Sequence, residues 1–222
     1  MAAKKIAGID LGKTSISAAL LTLPDGGGTP TLERVECAPH GGRPFQQFRA
    51  LYRDLEVESC AALGVTGAYA EELNACQLPE DACLAEALDW LPGVPDRVNL
   101  LSVGGSGYRV LTRRPGLRAQ DRVHDQERQW FHAYLENDKC SSGTGENMVR
   151  IADRFGLTLE QADALALEAD EAVPITARCS VFTKSEMTHH ANEGRGAAEL
   201  FAGYFASVAQ NAHALLARQG GE

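Results

Sequence analysis

Two cysteines lie in segments whose residue types could hold a metal. Cys140 sits in the small-residue loop NDKCSSGTG, which leads into a predicted amphipathic helix containing Met148, Ile151 and Phe155. The unpaired N–H groups and positive dipole end at such a helix start lower a thiol's pKa and stabilise an anionic ligand, including a thiolate-bound iron–sulfur cluster. The alternative is a helix start with an incidental buried cysteine.

The second cysteine, Cys179, lies in the segment PITARCSVFTKSEM, directly before another predicted helix start. Taken alone, this segment predicts a strand or turn that ends in a buried cysteine. None of the six cysteines forms a CxxC pair, and two thiolates cannot complete a four-thiolate cluster. Two copies of the chain around a two-fold axis could complete it, each supplying Cys140 and Cys179.

The segment GIDLGKTS near the N-terminus has a carboxylate at the end of a predicted strand, followed by a turn of glycine and hydroxyl residues. Small residues allow backbone N–H groups to approach phosphate oxygens, and a nearby carboxylate can hold a hydrated magnesium ion. The GxxxxGK[ST] spacing of a Walker A loop is absent. The alternative is a hairpin whose Asp10 caps a turn. The candidate phosphate-site residues are Asp10, Gly12, Lys13, Thr14 and Ser15.

Hydrophobic periodicity predicts an α/β fold of two related lobes, residues 1–97 and 98–222. The first lobe reads as three strands, a helix, a strand and a helix. The second begins in the same way, and aligning the two starts places Asp10 opposite Ser102 and Gly12 opposite Gly104, as in a duplicated unit. Helices are predicted at about 144–156, 159–169, 183–193 and 196–218. No strand follows the last helix, so the second lobe is expected to be open on that side, or the chain to be the front of a longer protein.

The composition is that of an ordinary globular chain. Its 222 residues are 44% hydrophobic and carry a net charge of −9, which argues against a nucleic-acid or anionic-membrane surface. No stretch reaches the roughly 18 apolar residues of a membrane span, and the N-terminus does not read as a signal peptide, so a cytoplasmic protein is expected. Residues 112–132, including Arg113 and Arg114, are predicted to be a solvated surface insertion. Cys60, Cys76 and Cys83 are predicted to be small core residues.

Three segments together resemble a known family. GIDLGKTSISAALL, NDKCSSGTGENM and ITARCSVFTKSE are similar to the motifs of the activator ATPases of 2-hydroxyacyl-CoA dehydratases and benzoyl-CoA reductases, over roughly residues 5–213. The resemblance implies an actin-like, ribonuclease-H-like fold and a homodimer with one 4Fe-4S cluster, bound by Cys140 and Cys179 of each subunit. It also implies that hydrolysis of ATP with Mg²⁺ drives a low-potential electron to an iron–sulfur dehydratase or reductase partner. The implied catalytic residue is Asp10, and the implied cofactor-binding residues are Gly12, Lys13, Thr14, Ser15, Gly104, Gly105, Gly143, Thr144 and Gly145.

The sequence departs from this family at two motifs. The family's second phosphate motif, Asp-x-Gly-Gly-Gln-Asp, reads Ser102-Val-Gly-Gly-Ser-Gly107, without the acidic residue. The downstream Gly-Gly motif that contacts adenosine is missing, because the sequence ends before it. Two other functions therefore stay open: a degenerate paralogue that holds a cluster or partner without hydrolysing ATP, and a small-molecule kinase on the same fold.

Overall fold

The computed structural model describes residues 4–26, 28–116, 130–137, 145–177 and 179–219. The chain divides into two compact units, residues 1–83 and 84–222. This division lies upstream of the lobe boundary that the sequence predicts after residue 97. Three of the predicted site residues lie outside the described residues, and their roles stay predictions: Cys140, Gly143 and Thr144.

The first unit is built on a five-stranded mixed sheet in the order β3-β2-β1-β4-β5. Its elements are β1 (Lys4–Leu11), β2 (Ser15–Leu23), β3 (Thr31–Pro39), α1 (Pro44–Asp54), β4 (Ala62–Thr66), β5 (Cys76–Gln77) and the first residues of α2 (Glu80–Trp90). Strands β1, β2 and β3 form an antiparallel meander, whereas β4 pairs parallel with β1 after the crossover through α1.

Alternating apolar residues explain why these strands form a sheet with one packed face. Ile9 and Leu11 of β1 and Ile16 of β2 are buried together with Leu51 of α1. Strand β5 was not predicted, because its two residues leave no periodic signal in the sequence. Cys76 lies in this short edge strand and is exposed, so the prediction that it is a core residue is wrong. Cys60 and Cys83 are only partly buried.

The second unit contains the same antiparallel meander, in the order β6-β7-β8. Its elements are β6 (Val98–Val103), β7 (Tyr108–Pro115), β8 (Trp130–Glu136), α3 (Gly145–Arg154), α4 (Leu159–Leu167), α5 (Ser180–Asn192) and α6 (Ala197–Arg218). The repeated meander agrees with the duplicated pattern in the sequence. Among the described residues, no strand pairs with the outer edge of β6.

Helix α6 is the centre of the second unit's helical core. Its 22 residues bury Leu200, Phe201 and Tyr204, against which Ile151 of α3 and Met187 of α5 pack. None of the helices in the described part of the chain is both long enough and apolar enough to cross a membrane.

Arg113 corrects the prediction that a solvated insertion begins at residue 112. Strand β7 continues to Pro115, and Arg113 is only 3% exposed. Its guanidinium donates hydrogen bonds to the carbonyl oxygens of Leu88, Val94 and Pro95 and to the carboxylate of Asp89. The two terminal nitrogens of the guanidinium thus meet four acceptors, which offset the cost of burying the charge, while its Nε is buried without a hydrogen-bond partner among the described residues.

Candidate functional site

The first candidate site is the turn between β1 and β2, residues 12–15. The structure brings the predicted phosphate-site residues together here, because they follow one another in a single hairpin. A Cβ on Gly12 would lie 2.9 Å from the carbonyl oxygen of Ser15, so the closely folded turn requires glycine. Asp10 is half-buried at the carboxyl end of β1, whereas Lys13 is exposed. The donor groups suit a phosphate and a hydrated divalent cation.

Two residues beside Asp10 were not predicted as site residues. The parallel register of β1 and β4 places Thr66 next to Asp10. Gly67 follows with φ of 95°, and a Cβ there would overlap the Asp10 carboxylate and the Leu11 carbonyl. The backbone after β4 therefore packs directly against the carboxylate. The signal in the sequence is the Thr-Gly pair at the end of the first strand after a crossover helix. The carboxyl ends of parallel strands lie at the same edge of a sheet, so this pair is expected near Asp10.

Cys83 also contacts this site. Burial raises the pKa of the Cys83 thiol above its ordinary value, the Thr66 hydroxyl partly opposes that effect, and the charge of Asp10 adds to it. The thiol is therefore kept protonated at neutral pH. This is the opposite of the low pKa that a metal-binding or nucleophilic cysteine needs.

The second glycine turn, residues 104–107, lies between β6 and β7. It is closed by a hydrogen bond from Gly104 N–H to the Gly107 carbonyl at 2.8 Å, and Arg109 donates to the Ser106 hydroxyl at 3.1 Å. The first residue of α3, Gly145, donates its N–H to the Gly104 carbonyl at 2.9 Å. The structure thus brings Gly145 next to Gly104 and Gly105, from which it is distant in sequence.

Cys179 occupies the N-cap position of α5 in an extended conformation, and its side chain makes no capping hydrogen bond. Thr183 fixes this helix start. Its N–H donates to the Cys179 carbonyl at 2.9 Å, and its fully buried hydroxyl donates to the Thr176 carbonyl at 2.6 Å. Cys179 therefore stands at the N-terminus of α5, and a helix N-terminus generally favours the anionic form of a thiol.

Helix α6 packs against the segment that precedes Cys179. Three of its residues, one turn apart, form a stripe that we name the α6 stripe: Gly203, Ser207 and Asn211. A Cβ on Gly203 would overlap the carbonyl oxygen of Val173, so the backbone lies directly on the helix. Ala177 donates its N–H to the Ser207 hydroxyl at 3.0 Å and accepts from the Asn211 amide at 3.0 Å. The sequence signal is the i, i+4, i+8 spacing of small and polar residues in an otherwise apolar helix.

The same helix supports α3. The buried amide of Asn147 in α3 donates to the hydroxyl of Tyr204, a fully buried residue of α6, at 3.3 Å. Burial raises the pKa of Tyr204 to about 12, and the Asn147 contact opposes the shift. Both helices that follow a predicted ligand cysteine in sequence, α3 and α5, therefore pack on α6.

No group of three or more His, Cys, Asp or Glu side chains that could hold a metal ion occurs among the described residues. Of the two predicted ligands, only Cys179 is described. The donor set at Cys179, a thiol at a helix N-terminus, suits a thiolate-bound cluster. Completing such a site requires ligands beyond those that the structure describes, from the segment around Cys140 or from a second chain.

Residues 129–222, which include both predicted ligands, match the BadF/BadG/BcrA/BcrD ATPase family. This match spans less than half of the chain. The chain is 26% identical over 220 residues to the activator of lactoyl-CoA dehydratase of Anaerotignum propionicum, covering 96% of this chain and 78% of that protein. It is 25% identical over 144 residues to the 2-hydroxyisocaproyl-CoA dehydratase activator of Clostridioides difficile, covering 65% of this chain and 49% of that protein.

The chain also resembles solved structures. The activator of the 2-hydroxyisocaproyl-CoA dehydratase from Clostridium difficile, with bound ADPNP, superimposes with a TM-score of 0.72 at 24% identity, over 98% of this chain and 77% of that one. This likeness confirms the predicted actin-like α/β fold. The sequence match to the curated C. difficile activator spans about half of that protein's length, 49%.

Proposed function

We propose that this protein is an ATP-dependent activator that passes a low-potential electron from a subunit-bridging 4Fe-4S cluster to a CoA-ester dehydratase, reductase or similar iron–sulfur enzyme. Relatives of the chain are named as activators of such dehydratases. The family domain on residues 129–222 and the actin-like fold support the same role.

The observation that carries the proposal is the position of Cys179. The α6 stripe holds the segment that ends in this cysteine, and the cysteine stands at the start of a 13-residue helix. With Cys140, it would supply half of the four thiolates. When bound, the cluster would supply one-electron transfer, and the N-terminal N–H groups of α5 would offset its negative charge.

Two exposed apolar side chains support a homodimer around this position. Val181 and Phe182, directly after Cys179, are 70% and 66% exposed. Large adjoining apolar side chains are typical of surfaces that a partner covers. A second copy would cover them while bringing its own Cys179 near. Phe182→Glu should therefore give a monomer in sedimentation experiments, whereas the exposed His189→Gln, on the same helix, should leave the dimer intact.

The nucleotide half of the proposal rests on the turn at residues 12–15. Asp10 would hold Mg²⁺ through water, and the hydroxyls and N–H groups of the turn would bind phosphate. In the second unit, the proposed cofactor-binding residues are Gly104, Gly105, Gly143, Thr144 and Gly145.

The deciding experiment is the iron content and visible spectrum of anaerobically purified wild type, Cys140→Ser and Cys179→Ser. One cluster shared by two chains predicts about two irons per chain and broad absorption near roughly 400 nm, both lost in each variant. Cys37→Ser is the control, because Cys37 is an exposed cysteine in the first unit. Iron-free wild type that resists reconstitution would contradict the cluster.

Ser102 favours a second function, that of a paralogue that binds the cluster or partner without hydrolysing ATP. It stands in β6, where the related motif has an acidic residue. Measuring phosphate release by the anaerobic, cluster-loaded protein separates the two functions. Turnover supports the activator, and an intact cluster with no turnover supports the paralogue.

A further inference from the structure

A buried histidine lies directly beneath the candidate phosphate turn. His40 follows β3, and only 8% of it is exposed. We propose that His40 is a positioning residue for nucleotide binding: as a neutral imidazole protonated on Nε2, it holds the 12–15 turn in its phosphate-binding shape. This inference rests on the proposed nucleotide site in the first unit.

His40 binds two carbonyl groups of the turn. Its ring Nε2 lies 3.2 Å from the Gly12 carbonyl oxygen, and its backbone N–H donates to the Thr14 carbonyl at 3.1 Å. In a trans peptide the carbonyl and the following N–H point in opposite directions. Turning the Gly12 carbonyl toward the imidazole therefore turns the Lys13 N–H away from it, and makes that donor available to an anion.

The two ring nitrogens have different partners, which defines the tautomer. Gly42 donates its N–H to Nδ1 at 3.1 Å, so Nδ1 must be the unprotonated acceptor. A carbonyl oxygen can only accept, so Nε2 must carry the proton that is donated to Gly12. Protonating Nδ1 as well would set its N–H against the N–H of Gly42 and remove that contact.

A second loop encloses the ring. Tyr69 contacts His40 edge to face, with ring centroids 6.0 Å apart, and its backbone N–H donates to the Leu11 carbonyl at 3.3 Å. Leu11 immediately precedes the turn. The imidazole is therefore fixed in position by Tyr69 on one side and by Gly42 on the other, and it cannot rotate away without breaking these contacts.

Three substitutions separate the two ring contacts. His40→Gln places an amide where Nε2 lies and can restore the donor to Gly12. His40→Asn reaches only the Nδ1 position and can restore the contact with Gly42, whereas His40→Leu restores neither. Losing a hydrogen bond that shapes the turn should weaken MgATP binding about tenfold in the Leu and Asn variants, while Gln stays within about threefold of wild type.

Isothermal titration of the full chain with MgATP measures these affinities, with thermal unfolding recorded for each variant and His189→Leu as an exposed control. A purely structural histidine would lower the unfolding temperature without ranking Gln above Asn in affinity. Equal binding by wild type and the Asn variant, or no rescue by Gln, would overturn the inference.

A measurement on the wild type alone keeps this inference distinct from the proposed function. Failure of wild type to bind MgATP would reject the nucleotide role, and with it any effect of His40 on affinity. Long-range ¹H–¹⁵N NMR of the imidazole reports the tautomer whether or not nucleotide binds. A proton on Nε2 is expected, and a proton on Nδ1 would overturn the proposed hold on the turn even if nucleotide binds.

Discussion

The two candidate sites are positioned in different ways. In the first unit, Asp10 and the turn that follows lie within one hairpin, so neighbouring residues place each other. In the second unit, Cys179 depends on Ser207 and Asn211, which bind Ala177 across 30 and 34 residues of sequence. A single substitution near such a turn can therefore change its chemistry, and Ser102, which is aligned with Asp10 in the second meander, is an example. The position of Cys179, in contrast, depends on how the helices pack.

The contact between Gly203 and Val173 should give the largest effect in this comparison. Helix propensity alone predicts that Gly203→Ala stabilises the protein by up to about 1 kcal/mol. Because the new Cβ overlaps the Val173 carbonyl, we instead expect a loss of about 3 kcal/mol. Chemical denaturation measures the change, with the exposed Ala206→Gly as control, expected to cost about 1 kcal/mol. A Gly203→Ala variant as stable as wild type would show that the segment is not held by this contact.

Asp10→Asn tests whether the first turn has kept the cation site. If Asp10 holds Mg²⁺, the substitution should lower ATP hydrolysis by at least about 100-fold, because metal stabilisation of the developing charge is worth several kcal/mol. Ser102→Ala, at the aligned position of the second meander, should change the rate by less than about twofold, since it removes no charge. Phosphate release under anaerobic conditions measures both. Similar losses of ATP hydrolysis in the two variants would contradict the assignment of the cation site to Asp10 alone.

The raised pKa of Tyr204, the residue that contacts α3 through Asn147, predicts how the unfolding free energy changes at alkaline pH. Its pKa is raised from 10.0 to about 12 in the folded protein, so the folded state holds the proton more tightly than the unfolded state. This contribution to stability is complete below pH 10 and is lost as the pH rises toward 12, by about 2 kcal/mol. Subtracting the unfolding free energy of Tyr204→Phe from that of wild type, at each pH, isolates the effect. A difference that stays constant from pH 9 to 12 would contradict it.

Asn211→Ala should have the smallest effect, a loss of about 1 kcal/mol in unfolding free energy, because it removes one hydrogen bond to the Ala177 carbonyl. Cys179 should then react faster with iodoacetamide, because the segment before it is held less firmly. Asn192→Ala, at the exposed end of α5, is the matched control. An unchanged alkylation rate would mean that Gly203 and Ser207 suffice.

Sequence patterns predicted the elements whose structure depends only on residues near them in the chain. The hairpin turn after Asp10, the two meanders and the four helices of the second unit follow from periodicity and turn residues. The contacts of Thr66 and Gly67 with Asp10 depend on strand register, and the α6 stripe depends on which segment packs on the helix. The burial of Arg113 was not predicted because three of its four acceptors are backbone carbonyls, which every residue has and no sequence pattern marks.

Arg113 also determines where the chain can be divided. A fragment that begins at residue 98, the predicted lobe boundary, would lack the carbonyls of Leu88, Val94 and Pro95 and would leave a buried guanidinium with few acceptors. A fragment that begins at residue 84 keeps them all. For expression of the second unit by itself, the 14 residues from 84 to 97 therefore belong with the sheet that follows them rather than with the strands before.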